Sequence, residues 1–283
     1  MANEEKKLVE IENLRKYFPI KGTNGPGVQA VQDVSLYIKK GETLGLVGES
    51  GCGKTTLGRT ILRLYEPTGG KIIYDGQTIF DNPLDKDGKP LGKAKSVNML
   101  PYRKKMQIIF QDPYSSLNPR MTVEDTIKEP LLISGKCDKQ NVDAETERLM
   151  DMVGIARRIK MSYPHELDGG RRQRVGIARA LALDPKFIVC DEPVSALDVS
   201  IQAQILNLLM DLQEEHGLAY MFITHNMSVV RHISHNISVM YLGQLVETSP
   251  TKELFSEPFH PYTKALLSAI PTTDILHPKE ESY

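Results

Sequence analysis

Hydrophobic and polar positions alternate in the first forty residues of the chain. Val34, Leu36 and Ile38 are separated by single, more polar residues, which is the two-residue period of a half-buried strand. A turn-rich stretch, GTNGPG at residues 22–27, precedes this strand. The N-terminal part of the chain is therefore predicted to form short strands joined by a loop.

Three later segments are short, continuous apolar runs. TLGLVG ends at Gly48, FIVC leads to Asp191, and residues 220–224 form the third run. Such runs are typical of strands that are buried on both faces. They predict central strands of a sheet that is covered on both sides.

Helical periodicity follows two of these runs. After Gly48, the residues Leu57, Ile61 and Leu64 lie on one predicted helical face. After Asp191, a second apolar stripe contains Ile201, Ile205, Leu208, Leu209 and Leu212. Strands that alternate with helices indicate an α/β fold with a mainly parallel sheet.

Two further segments differ from this pattern. Residues 113–183 are mostly helical in pattern and polar, which predicts a separate helical subdomain. Residues 81–95 are rich in Asp, Lys, Gly and Pro and are predicted to form an exposed insertion.

Composition excludes several classes of protein. No window approaches 18 consecutive apolar residues, so no membrane span is predicted, and the N-terminus has no apolar signal region. The net charge of -1 gives no argument for nucleic-acid binding. Three scattered cysteines, Cys52, Cys137 and Cys190, suit neither a disulfide framework nor a zinc site, and we expect reduced thiols in the cytosol.

A phosphate-binding motif follows the first apolar run. The sequence from Gly48 to Thr55, GESGCGKT, matches G-x-x-x-x-G-K-[ST]. Its glycines allow backbone N–H groups to point at phosphate oxygens, Lys54 supplies a mobile ammonium, and the Thr55 hydroxyl can ligate Mg²⁺. The predicted nucleotide-binding residues are Gly48, Glu49, Ser50, Gly51, Cys52, Gly53, Lys54, Thr55 and Thr56.

The motif alone leaves alternatives open. A glycine-rich turn with a lysine can arise by chance, although the preceding strand and following helix argue against this here. A genuine P-loop is still compatible with kinases, GTPases and motor proteins.

Four further segments, in order, resemble motifs of the ABC-type ATPases. They are MQIIFQDPYSSLNPR with Gln111, LDGGRRQRVGIARAL from Leu167, FIVCDEPVSALD ending at Asp198, and ITHN with His225. They are similar to the Q-loop, the signature, Walker B with the D-loop, and the H-loop. The resemblance covers nearly the whole chain and implies an ATPase that binds ATP and Mg²⁺.

The resemblance also implies a fold and a division of the chain. The expected fold is a P-loop NTPase (RecA-like) core with a mainly parallel sheet, an N-terminal antiparallel β subdomain and an inserted helical subdomain. The core with its β subdomain would occupy residues 1–112 and 184–240, and the helical subdomain residues 113–183. Residues 241–283 would form a C-terminal extension.

Catalytic roles carry over by matching position. Asp191 resembles the residue that holds Mg²⁺ through water, and Glu192 resembles the base that polarises the attacking water. His225 resembles the switch histidine at the γ-phosphate. Gln111 would contact Mg²⁺ or the water. Adjacent carboxylates at a strand end suit one metal role and one water role.

Two contacts outside this group are implied as well. Phe18, with Tyr17 as the alternative, matches the aromatic residue that stacks on adenine, although ordinary core packing would also explain Phe18. Asp198 matches the D-loop residue that reaches across a dimer of ATPase domains.

The signature departs from the family pattern. The family commonly has Leu-Ser-Gly-Gly-Gln, whereas this chain has Leu167 followed by Asp168, Gly169, Gly170 and Arg171. A carboxylate would replace a hydroxyl donor at the partner's γ-phosphate, although aspartate is also a good helix N-cap. The resemblance therefore predicts impaired signature function and an asymmetric heterodimer with a paralogous ATPase.

Two segments narrow the family. FQDPYSSLNPR and LFSEPFHPYTKALLSAIP resemble the oligopeptide and dipeptide importer ATPases, above all the second, F-type subunit. The implied partners are a second ATPase, two polytopic permease subunits and, indirectly, an extracytoplasmic substrate-binding protein, with this chain at the cytoplasmic face of the membrane. No cysteine follows Cys190, so the iron–sulfur cluster of some relatives is not expected. Residues 262–270 would form a surface helix or part of a subunit interface.

Other functions remain open at this point. Relatives with similar tails import peptides of various lengths and some import nickel, so an importer for nickel or another small solute is an alternative. A non-transport ABC ATPase, or a subunit that binds ATP without hydrolysing it, would share the P-loop; Glu192 and His225 argue against the latter, whereas Asp168 favours it.

Overall fold

The strands of the described residues form two sheets. The computed structural model describes residues 6–22, 25, 27–85 and 91–269. Parts of the predicted loop at 22–27 and of the insertion at 81–95 lie outside the described residues, as does the chain beyond residue 269. No helix in the described part of the chain has the length and apolar character needed to cross a bilayer.

The first sheet is antiparallel and comes from the N-terminal part of the chain. Its strands are β1 (Lys7–Phe18), β2 (Val28–Lys39), β4 (Gly69–Tyr74), β5 (Gln77–Asn82) and β6 (Lys95–Ser96), in the order β2-β1-β4-β5-β6. Val34, Leu36 and Ile38 of β2 are buried, which confirms the predicted alternation.

The second sheet is mainly parallel. Its strands are β3 (Thr43–Val47), β7 (Met106–Ile109), β8 (Phe187–Asp191), β9 (Ala219–Ile223), β10 (Asn236–Tyr241) and β11 (Gln244–Pro250). Their order is β11-β10-β3-β9-β8-β7, and only the β10–β11 pair is antiparallel. The carboxyl ends of β3, β8 and β9 therefore meet at one edge, where ligands bind in sheets of this kind.

Helices connect and cover these strands. The described α-helices are α1 (Lys54–Ile61), α2 (Leu100–Lys105), α3 (Pro113–Ser116), α4 (Val123–Ile133), α5 (Val142–Met152), α6 (Gly169–Leu181), α7 (Val199–His216), α8 (Met227–Ile233), α9 (Thr251–Ser256) and α10 (Pro261–Ser268). Helices α3 to α6 and two short 3-10 helices, Arg157–Ile159 and Pro164–Glu166, occupy the segment that is predicted to be helical.

Alternate residues of β8 face two different cores. Ile188 and Cys190 pack with α4 to α7, whereas Phe187 and Val189 pack with the antiparallel sheet and α1. All four side chains are fully buried. The parallel sheet is thus covered on both faces, as its continuous apolar strands predict.

Helix α1 approaches the sheet closely through Gly58. A Cβ atom at Gly58 would lie 2.8 Å from Val189 Cγ1 and 3.0 Å from Ile223 Cδ1. The prediction that Leu64 lies on the apolar face of this helix is wrong. Leu64 is 46% exposed and lies beyond the helix end at Ile61. The helix stops there because Arg63 adopts a left-handed conformation with φ 52°.

The contact at Gly58 yields a stability prediction. We expect Gly58→Ala to lower the free energy of unfolding by about 1 kcal/mol, because overpacking of about 1–3 kcal/mol outweighs a helix-propensity gain near 1 kcal/mol. Gly176→Ala in α6 is the matched control, since a Cβ there has no described neighbour within 4 Å. Chemical denaturation should show Gly176→Ala to be neutral or stabilising. Equal effects of the two substitutions would contradict the packing argument.

Candidate functional site

The loop between β3 and α1 is shaped by glycines at two points of close backbone approach. Gly48 has φ 149°, and a Cβ there would lie 2.1 Å from the Met240 carbonyl oxygen. Gly53 has φ 109°, and its Cβ would lie 2.1 Å from the Ala30 carbonyl oxygen. Any other residue would displace the backbone at these positions. The loop thus holds its turn against β2 and β10.

Lys54 places its ammonium group inside this loop. Its Nζ donates to the carbonyl oxygens of Gly48, at 2.8 Å, and Glu49, at 2.6 Å. The side chain is buried, and the Cys52 sulfur lies 3.8 Å from Nζ. Burial raises the pKa of the Cys52 thiol although the Lys54 charge opposes this, so the thiol is protonated. A fixed positive charge therefore lies next to the turn of backbone N–H groups.

Thr55 and Asp191 join the loop to the end of β8. The Thr55 hydroxyl donates to Asp191 Oδ1 at 2.6 Å, and the Arg59 Nη2 atom lies 3.5 Å from Oδ2. Asp191 is 1% exposed, and its Oδ2 accepts no hydrogen bond from the described residues. Burial raises the pKa of Asp191, and Thr55 and Arg59 offset only part of this effect. A hydroxyl beside a buried carboxylate oxygen that lacks a donor suits Mg²⁺ or its bound water.

Glu192 is held in an uncommon backbone conformation directly after β8. Its φ is 46°, in the left-handed region that costs a non-glycine residue about 1 kcal/mol or more. The carboxylate accepts a hydrogen bond from Gln111 Nε2 at 2.9 Å and lies 3.2 Å from His225 Nδ1. Because a carboxylate only accepts, this contact requires the proton on Nδ1. The three residues follow β8, β7 and β9, so the parallel sheet brings them together.

These groups surround one cleft of about 670 Å³. It is lined by Phe18, Val28, Ala30, Ser50, Gly51, Gly53, Lys54, Thr55, Thr56, Gln111, Glu192 and His225. Asp191 lies buried behind Thr55. Of the remaining P-loop residues, Gly48 and Glu49 face Lys54 through their carbonyl groups. The predicted nucleotide and catalytic residues therefore converge at one location.

Phe18 lines the cleft, and its alternative, Tyr17, is absent from the described lining. The Phe18 ring makes an edge contact with Tyr65, with the centroids 5.5 Å apart. The Lys16 ammonium lies 4.8 Å from the Phe18 ring centroid. The ring is thus half-buried and remains within reach of the cleft.

The signature and D-loop residues lie elsewhere. Asp168, Gly169, Gly170, Arg171 and Asp198 are absent from the described lining of the cleft. They form the N-termini of two packed helices, α6 and α7, where a Cβ at Gly170 would lie 2.7 Å from Ile201.

Both aspartates cap their helices. Asp168 Oδ1 accepts the Arg171 N–H at 2.8 Å, and its Oδ2 lies 3.3 Å from Arg171 Nε. Asp198 accepts the Ile201 N–H at 3.0 Å, and this bond, with the Ser200 hydroxyl, lowers the pKa of Asp198. The capping explanation for Asp168 is therefore realised in this fold, and the carboxylate remains 60% exposed.

Sequence reasoning missed two residues at the site. Arg59 pairs with Asp191, and its position four residues after Thr55 on a helix was a usable signal. Tyr262 of α10 contacts the P-loop, since its hydroxyl accepts the Glu49 N–H at 3.0 Å. No local pattern connects positions so far apart in sequence.

Comparison with known proteins gives the family. Residues 31–195 match the family model described as ABC transporter, and residues 246–281 match the model described as oligopeptide/dipeptide transporter, C-terminal region. This chain belongs to the ABC transporter ATP-binding family. As an ABC ATP-binding protein it binds ATP and is an ATPase.

Individual relatives agree with this assignment. The oligopeptide transport ATP-binding protein OppF of Bacillus subtilis is 52% identical over 95% of this chain and 84% of its own length. The dipeptide transport ATP-binding protein DppF of Haemophilus influenzae is 47% identical over 96% of this chain and 81% of its own. The ATP-binding cassette MJ0796, solved with ADP and Pi, superposes with a TM-score of 0.71 at 28% identity, covering 86% of this chain and 99% of that one.

The close approach at Gly53 makes a prediction about ATP binding by this ABC ATPase. We expect Gly53→Ala to weaken ATP binding at least tenfold, because the Cβ would collide with the Ala30 carbonyl group. Gly41→Ala is the control: its φ is 73°, but no described atom lies within 4 Å of the added carbon. It should lose only the roughly 1–2 kcal/mol of stability that a left-handed non-glycine residue costs, and it should keep its ATP affinity, as measured by calorimetry. Normal ATP binding by Gly53→Ala would overturn this account of the loop.

Proposed function

We propose that this chain is the ATP-hydrolysing subunit of a membrane importer for oligopeptides or dipeptides. The observation that carries the proposal is the convergence of Lys54, Thr55, Glu192 and His225 on one cleft in a chain with an oligopeptide-transporter C-terminal region. The names of the relatives, oligopeptide transport protein OppF and dipeptide transport protein DppF, support peptides as the cargo.

In the proposed site, the P-loop binds the phosphates. The N–H groups that follow Glu49 and the Lys54 ammonium would hold the β- and γ-phosphates, and Phe18 would stack on adenine. Thr55 and Gln111, with Asp191 acting through water, would hold Mg²⁺; Gln111 contacts either the ion or the attacking water. When bound, the ion offsets phosphate charge during transfer.

Hydrolysis then depends on the groups around Glu192. The oxygen of a water molecule attacks the γ-phosphorus, the bond to the ADP oxygen breaks, and the Glu192 carboxylate accepts the water proton. Gln111 and His225 already hold this carboxylate at the cleft, at 2.9 Å and 3.2 Å. His225 would contact the γ-phosphate, and Gln111 would couple the nucleotide site to the helical subdomain.

The importer assembly follows from the same proposal. Its other parts are a paralogous ATPase, two polytopic permease subunits and, indirectly, an extracytoplasmic substrate-binding protein, with this chain peripheral on the cytoplasmic face. Gln111 and α3 would transmit ATP-driven closure to the permeases, and Tyr114 of α3 presents an exposed ring for that contact. In this proposal the core, the helical subdomain at 113–183 and the extension from 241 are the units that move relative to one another during closure.

We also propose that Asp168 makes the assembly asymmetric. In a head-to-tail dimer, the Asp168 carboxylate would meet the partner's γ-phosphate. Two unit charges about 4 Å apart repel by roughly 4 kcal/mol at an effective dielectric near 20. The lost hydroxyl donor adds about 1.5–3 kcal/mol. The 3.3 Å contact with Arg171 reduces this repulsion in part. The partner's ATP would therefore turn over slowly, whereas the P-loop of this chain would meet a normal signature.

The base assignment is tested with Glu192→Gln. We expect ATP binding to be retained and hydrolysis to fall at least a hundredfold, because a positioned general base contributes about 10²–10⁴ in rate. Glu214→Gln, on an exposed position of α7, is the control and should hydrolyse ATP normally. ATPase and calorimetric titrations measure the two quantities. Full hydrolysis by Glu192→Gln would refute its role.

The asymmetry is tested in the complex captured from native membranes through a tag on this chain. We expect a second ATPase and two polytopic proteins to co-purify, and Asp168→Ser and Asp168→Asn each to raise ATP turnover several-fold. Both replacements retain good N-capping, so they remove the charge without removing the helix cap. Unchanged turnover in both, or brisk cooperative turnover by the isolated wild-type chain, would contradict the asymmetry.

A further inference from the structure

The C-terminal region reaches back to the phosphate-binding loop. The hydroxyl of Tyr262, in the second position of α10, accepts a hydrogen bond from the Glu49 N–H at 3.0 Å. Tyr262 lies within the matched oligopeptide/dipeptide C-terminal region, whereas Glu49 is the second residue of the P-loop motif. The contact joins two segments that are 213 residues apart in the chain.

Tyr262 is itself held by several contacts. The Glu247 carboxylate of β11 accepts the N–H groups of Phe259, at 2.8 Å, and His260, at 2.9 Å. His260 Nδ1 then accepts the Tyr262 N–H at 3.1 Å, which caps α10. The Tyr262 ring packs against Tyr241 at the end of β10, with the centroids 4.4 Å apart. The hydroxyl thus projects from an anchored helix start.

The contact fixes one particular peptide unit. The N–H of Glu49 and the carbonyl group of Gly48 belong to the same planar peptide. Tyr262 accepts from its N–H side, and Lys54 Nζ donates to its carbonyl oxygen at 2.8 Å. Glycine at position 48 allows this peptide more backbone orientations than another residue would, and the two hydrogen bonds select one of them. Burial raises the pKa of Tyr262, so the hydroxyl stays neutral at physiological pH.

We infer that Tyr262 is a positioning residue for ATP binding: its hydroxyl orients the Gly48–Glu49 peptide and thereby seats the Lys54 ammonium. The inference deepens the proposed function and rests on ATP binding at this loop. It makes α10 part of the nucleotide-binding apparatus rather than a bland surface helix. The C-terminal region then has a direct route by which a partner that contacts it alters nucleotide affinity.

The test compares Tyr262→Phe with Tyr241→Phe in the full chain. Tyr262→Phe keeps the ring contact with Tyr241 and removes the hydroxyl that accepts the Glu49 N–H. We expect its KM for ATP, and its dissociation constant by calorimetry, to rise about threefold to tenfold, with kcat within twofold of wild type. Tyr241→Phe should keep the wild-type values, because its hydroxyl has no hydrogen-bond partner among the described residues.

Hydrogen exchange supplies a second readout that a general loss of stability would not reproduce. In Tyr262→Phe, peptides covering residues 44–57 should exchange faster in the nucleotide-free protein, while those of α4 and α5 should not change. Should Tyr262→Phe fail to fold, Glu247→Ala takes its place, because it removes the acceptor for the Phe259 and His260 N–H groups and should raise KM in the same direction.

The outcomes separate the inference from the proposed function. Failure of the wild-type protein to bind Mg-ATP would contradict both the proposed function and the role of Tyr262. Wild-type binding, with unchanged KM and unchanged loop exchange in Tyr262→Phe, would overturn the role of Tyr262 alone. An equal rise in KM for Tyr262→Phe and Tyr241→Phe would also overturn it, since the effect would then not be specific to the hydroxyl that contacts Glu49.

Discussion

The hydrogen bond from the Thr55 hydroxyl to Asp191 is the constraint on which the site depends. It joins the first turn of α1 to the end of β8 at 2.6 Å, although β9 lies between β8 and β3 in the sheet. The bond is possible because Gly58 lets α1 settle onto Val189 and Ile223. A bulkier contact at that point would lift the P-loop away from both carboxylates. Packing at Gly58, about one helical turn after Thr55, therefore sets the distance between the P-loop and the carboxylates.

The same geometry explains why much of the fold was predictable from sequence. Continuous apolar runs before Gly48, Asp191 and His225 indicated buried parallel strands, and parallel strands place their carboxyl ends at one edge. Residues that directly follow those strands, such as Glu192 and His225, must then lie close together. The cleft was thus implied by the order of runs and loops. The left-handed backbone of Glu192 was not, because glutamate has no intrinsic preference for φ 46°.

What sequence reasoning missed depends on long-range contacts or on single backbone angles. Leu64 follows the helical period of Leu57 and Ile61, yet the left-handed conformation of Arg63 ends α1 before it. Tyr262 lies on an amphipathic helix that surface exposure or an interface would explain equally well. Its contact with Glu49 exists because β10 and β11 carry the chain back beside β3. Local periodicity contains no information about such a return.

Under the proposed asymmetry, Asp168 is neutral for the fold of this chain and decisive for the assembly. As the N-cap of α6 it accepts the Arg171 N–H at 2.8 Å, and serine would make an equivalent cap. Folding of this chain therefore does not discriminate between the two residues, so neither stability nor the structure of one subunit resists the change. Under the proposed asymmetry, the difference in charge acts on a phosphate that approaches from another subunit.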